Sequence, residues 1–163
     1  MRNMKIALLK IRKSAFIIAA NLVTYMEKYS YYMDEKDREA LELFTQISGR
    51  LPLPSGRWGN AIALALEVNN YVAAEYLIEN SDRFDLDTNT VVSELDGKNP
   101  WSLKDEYLYS QLTYEEELMP IVEGQTEEKY QEYVDSITRN KLANERLEEK
   151  LSITSEDKKI LGK

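Results

Sequence analysis

The chain has 163 residues, no cysteine, no histidine and a net charge of −8 from 21 basic and 29 acidic side chains. That length supports one domain with a buried core and no covalent staples. The two missing residue types exclude disulfides, thiolate- and imidazole-bound metals, thiol nucleophiles and Ser-His-Asp triads, which leaves carboxylate, Lys, Tyr or Ser chemistry for any enzyme.

Charge is unevenly spread. Residues 1–24 carry Arg2, Lys5, Lys10, Arg12 and Lys13 and no acid, so the remainder sums to −13. An acidic body argues against nucleic acid, whose phosphates need clustered Lys and Arg. The longest apolar runs, Ala15 to Ala20 and Ala61 to Leu66, have six residues each. Both are shorter than the apolar core of a signal peptide (about 7–15 residues) or a membrane span (about 18 or more). The expected location is therefore cytoplasmic, with delivery into a host cell left open, and no integral membrane contact is expected. A basic amphipathic helix lying on a membrane is the alternative reading of the first segment.

From Met4 the positions Ile6, Leu9, Phe16, Ile17, Ala20 and Val23 recur at helical spacing, which predicts a helix to about Tyr29. Asp34 caps a second helix with Ala40, Leu41, Phe44 and Ile47 on one face, stopped by Gly49. Leu51-Pro-Leu-Pro-Ser-Gly56 then reads as a loop, because its prolines lack a donor and hold the chain extended. Ala61 to Val68 is almost wholly apolar, so its helix is buried on most sides. Asn69-Asn70 is the turn, since Asn tolerates the left-handed conformation, and a second helix runs from Val72 to near Asn80.

Residues 81–99 are rich in turn formers, with Phe84–Leu86 and Thr90–Val92 as candidate short strands. Pro100 is expected to open the next helix, and Thr113-Tyr-Glu-Glu116 to cap one that breaks near Pro120 and ends at Gly124. From Thr126 to about Leu151 a charged helix carries an imperfect stripe of Tyr130, Val134, Ile137, Leu147 and Leu151, interrupted by Asn140 and Asn144. It either packs on the body or projects as a tail. A short turn begins at Ser155.

The segment from Gly59 through Asn80 resembles an ankyrin repeat: a short inner helix, a tight turn and an outer helix. Asp96-Gly-Lys-Asn-Pro-Trp-Ser-Leu103, whose Pro100 lies 39 residues after Ala61, is similar to that family's opening Asp-Gly-x-Thr-Pro-Leu-His-Leu. Asn69 stands in place of the usual Gly, Ala61 in place of Pro and Ser102 in place of His. The resemblance covers residues 57–103 and fades over 104–124. It implies a mainly α fold of stacked antiparallel helix pairs in residues 1–124, with capping helices, and a long C-terminal helix in 125–163. An irregular helical bundle containing one such hairpin is the competing architecture.

Two constellations invite chemistry. Asp85, Asp87, Asn89, Ser93 and Asp96 fall at positions 1, 3, 5, 9 and 12 of an EF-hand-like loop, but Thr90 stands where the sharp turn needs Gly, and Asp96 is shorter than the bidentate Glu. Glu115-Glu-Glu117 and Asp34-Glu-x-Asp37 are carboxylate runs without the facing geometry of an acid–base pair. No glycine-rich phosphate loop is present. The expectation is a noncatalytic protein–protein interaction module of adaptor, inhibitor or effector type, with no cofactor and no metal. If the ankyrin likeness holds, its concave face and hairpin tips would meet the partner through Arg57, Trp58, Arg83, Asp87, Asn89 and Trp101. Tryptophan would anchor, the polar groups would set register, and the acidic body would suit a basic partner surface. A calcium-binding protein using residues 85–96 is the alternative.

Overall fold

The structure is a computed structural model, and it describes residues 50–115, 121 and 123–162. The helices expected over 4–29 and 34–49, and most of the one expected over 113–124, lie outside these residues; Thr113, Tyr114 and Glu115 themselves are not helical.

Three two-residue strands, β1 (Leu51–Pro52), β2 (Trp58–Gly59) and β3 (Val92–Ser93), form an antiparallel sheet in the order β1-β2-β3. Five helices complete the described part: α1 (Ala61–Glu67), α2 (Tyr71–Glu79), α3 (Leu103–Gln111), α4 (Glu127–Lys150) and α5 (Ser155–Ile160). The described protein is thus mainly helical, with a long C-terminal helix and a small sheet.

Each helix start follows from its cap. Asn60 accepts from the Ile62 and Ala63 amides, and its own amide group reaches the Asp87 carbonyl at 2.8 Å. One side chain therefore begins α1 and ties down a turn far along the chain. All six residues from Ala61 to Leu66 are buried, as their unbroken apolarity requires. Asn69 then adopts φ 57°, the left-handed geometry that reverses the chain, and Asn70 caps α2. α1 packs against α2 on one side and α3 on the other, while α4 packs against α2. The core lies between them, from Ile62, Leu64 and Leu66 through Tyr71 and Leu77 to Tyr107, Ala143 and Leu147.

Four expectations need correction, the first being the loop over 51–56, whose Leu51 and Pro52 pair with Gly59 and Trp58 as β1. Phe84–Leu86 is not a strand: Phe84 N–H bonds Asn80 O, Leu86 N–H bonds Ser81 O, and Asp85 sits at φ 52°, so the chain coils off the end of α2. Of Thr90–Val92, only Val92 joins a strand, paired with Gly59. Pro100 does not open α3 either. Trp101 first bridges back to Val92, and Ser102 is the cap, in a reciprocal box with Asp105. The bond from Trp101 N–H to Val92 O holds residue 101 extended and moves the helix start to Leu103.

Candidate functional site

The hairpin between β3 and Trp101 turns at Glu94–Lys98, where Gly97 has φ 85° and Asp96 accepts from the Lys98 amide. Its base carries Trp101 into contact with two neighbours. The Arg57 guanidinium, from the connection between β1 and β2, lies 4.0 Å over the Trp101 ring. Tyr109, on α3, meets the same ring edge-on with centroids 5.4 Å apart. Arg57 Nη2 donates to the Asn99 carbonyl. Trp101 and Arg57 are half-buried and Tyr109 is 38% exposed, so the three form a platform with one wet side. A guanidinium on an indole face gains about 0.5–2 kcal/mol and loses conformational freedom, which pre-organises the surface.

Beneath that platform is a second cluster. Glu106 projects from the buried face of α3, between Leu103, Tyr107 and Ser110, and is 0% exposed. Burial, then the nearby Glu67 carboxyl at the end of α1, pushes the Glu106 carboxyl up to about 9, against the opposing charge of Arg57. Glu67 also accepts from the Ser55 amide at 2.9 Å. This cluster is readable in outline from the sequence: Leu103, Glu106, Tyr107 and Ser110 share one helical face, so a Glu stands where an apolar residue is expected. Tyr109 has no comparable sequence signal.

The other expected site residues fall elsewhere. Trp58, Arg83 and Asp87 line a groove of about 670 Å³, together with Arg50 and Asp85. There the Arg50 guanidinium donates to Ser93 and the Glu94 carbonyl, and Arg83 lies 5.4 Å over the Phe84 ring. Asp87 uses one carboxyl oxygen to accept from the Asn89 and Thr90 amides, at 2.7 and 3.2 Å. Asn89 faces a separate shallow depression beside Lys104 and Lys150. Arg57 and Trp101 are therefore brought into contact, three residues share the groove, and Asn89 stands apart.

In the EF-hand-like loop of residues 85–96, Asp87 is committed to its turn, Ser93 lies in β3, and Asp96 sits in the hairpin turn, 3.6 Å from Lys98. Among the described residues, no three carboxylates come together as a metal-binding group, and no helix is long and apolar enough to cross a membrane. No family model, no curated protein and no solved structure matches this chain.

Proposed function

We propose that the chain is a noncatalytic protein–protein interaction module, built of degenerate ankyrin-like helix pairs and meeting its partner through the platform of Arg57, Trp101 and Tyr109. The observation that carries this reading is the platform itself: an indole stacked under a guanidinium, flanked by a tyrosine edge, at the foot of a hairpin. Trp, Tyr and Arg are the residue types that dominate binding energy at interfaces, most strongly when their neighbours hold them in one conformation.

The stacked architecture is supported by three features. α1 packs on α3 as inner helices would, and α2 on α4 as outer helices would. The left-handed Asn69 performs the turn for which the ankyrin family uses Gly. Extended hairpins precede both α1 and α3. The acidic body favours a partner with a basic surface through long-range attraction.

The test is a photoactivatable cross-linker in place of Tyr109, with a control at Glu156 on α5, in cells that make the protein. A discrete complex from position 109, absent from position 156 and abolished by Trp101→Ala in a folded variant, is the expected result. Equal trapping at both positions, or trapping that survives Trp101→Ala, overturns the reading.

A further inference from the structure

Among the described residues, the buried side-chain polar atoms that lack a partner are Arg57 Nη1, Glu67 Oε2 and both carboxyl oxygens of Glu106. They belong to one cluster, because Glu67 and Arg57 are the charged groups that act on Glu106. Its three members come from different elements: Glu106 from α3, Glu67 from the end of α1, and Arg57 from the connection before β2. As two carboxylates, Glu67 and Glu106 would put like charges side by side in a buried place where neither facing oxygen has a donor. One proton between them turns that repulsion into an O–H···O bond, and a hydrogen bond with Glu67 is among the causes that hold the Glu106 carboxyl up.

We propose that Glu67 and Glu106 share a single proton beneath Arg57, and that this proton governs how Arg57 is presented on the Trp101 ring. With the proton in place the pair carries one negative charge, matched by the one positive charge of Arg57. The guanidinium then stays on the indole face, with its bond to the Asn99 carbonyl. When the proton leaves to water, a second negative charge appears where, among the described residues, the cation acting on the pair is Arg57, whose Nη1 has no acceptor in the stacked position. The guanidinium is drawn down to the carboxylates and off the ring.

Among the described residues, the charged groups on the neighbouring elements are paired with one another. From α2 and α4, Glu75 and Glu79 pair with Arg146 and Lys150, and on α3 itself Lys104 pairs with Asp157 while Asp105 caps Ser102. Arg57 is a positioning residue in this scheme and the carboxyl pair controls it. Its relevance to a partner rests on the platform being the interaction surface; the proton-dependent movement does not.

Two measurements test it. Infrared spectroscopy at neutral pH is expected to show the C=O stretch of one protonated carboxylic acid, when every ordinary carboxyl is ionised, and Glu106→Gln should remove that band. In a Trp58→Phe background Trp101 is the only indole, and its fluorescence is expected to change in a one-proton step with a midpoint near 9. Glu106→Gln, which is nearly isosteric and supplies an amide donor to Glu67, should abolish the step while far-ultraviolet circular dichroism stays native. Arg57→Lys should abolish the fluorescence step and keep the infrared band. Absence of the band, or a fluorescence step unchanged in Glu106→Gln, overturns the proposal. Partner trapping that survives Trp101→Ala would remove the interaction reading and leave both spectroscopic results standing.

Discussion

A Cβ added at Gly59 would stand 2.4 Å from the Val91 carbonyl oxygen and 3.0 Å from both Ala63 Cβ and Leu53 Cδ1. Backbone cannot yield as a flexible side chain does, and β2 is held to β3 at this point through the Gly59–Val92 pair. Gly59→Ala is therefore expected to lower unfolding free energy by roughly 2–4 kcal/mol in a urea titration, with an unchanged m-value. The requirement at this position is space rather than dihedral freedom. Asn69 is the converse case, a non-glycine residue at φ 57° whose amide bonds Thr113 and whose carbonyl accepts from Asn140. Its left-handed turn was legible from the residue type and the apolar runs around it. Its tertiary bonds were not, because their partners lie 44 and 71 positions away.

At the level of elements, α4 shows why an amphipathic stripe is only part of what docks a helix. Its limits follow from Thr126 at one end and Leu151 at the other, much as the charged, proline-free run implies. Its buried face, however, is Asn140, Ala143, Asn144 and Leu147. The two asparagines that break the apolar pattern are the tethers. Asn140 accepts from the Tyr71 amide at 2.8 Å, one of the donors left over at the start of α2, and donates to the Asn69 carbonyl. Asn144 accepts from the Tyr107 hydroxyl at 2.7 Å and exchanges bonds with Gln111.

Periodicity treats an Asn in a stripe as a defect; only the facing helix reveals that its polar groups are matched. Asn140→Leu removes the acceptor that Asn140 offers the buried Tyr71 N–H and the donor it offers the half-buried Asn69 carbonyl, and is expected to cost about 2–3 kcal/mol by denaturant unfolding. On the wet edge of the same interface, Arg146 grips both Glu75 oxygens and Lys150 bridges Glu75 and Glu79. Arg146→Ala should cost only about 0.5–1 kcal/mol, and less in high salt, because that edge is solvated.

For the molecule as a whole, the two kinds of carboxyl give opposite responses to pH. Burial works against ionisation of Glu75, but the bonds from Arg146 and Lys150 outweigh it and hold the group below the usual range. Its contribution is present above the ordinary carboxyl range and is lost on acidification. Glu106 behaves in reverse. Raised from 4.5 to about 9, it keeps a proton that the unfolded chain has released, so stability falls as pH rises through that interval. The slope is at most about 1.4 kcal/mol per pH unit for one proton. Tm is thus expected to peak on the acid side of neutrality and decline toward about pH 9, and Glu106→Gln should raise Tm at about pH 8 while flattening the alkaline limb. A wild-type profile that rises from about pH 5 to 8 would contradict the assignment.

The mainly helical class and the α1–α2 hairpin were within reach of apolar runs and caps. Arg57 and Trp101 were singled out by residue type, but the start of α3 and the contacts that join the two with Tyr109 were not legible, since they depend on Trp101 pairing across a hairpin to Val92.

The tethering of α2 by Asn140 also bears on how the chain is made. Synthesis runs from the N-terminus, and α1 and α2 are complete long before residue 140 has been added. During that interval the Tyr71 N–H has no Asn140 to bond, and the face of α2 that α4 will cover is without that helix. A nascent chain halted before α4 therefore lacks the helix that covers α2, and an uncovered helix face is the kind of surface that chaperones retain and that aggregates when released early. Chains released with their end near Gly124 should accordingly remain chaperone-bound and protease-sensitive, and chains released with their end past Lys150 should close and let go.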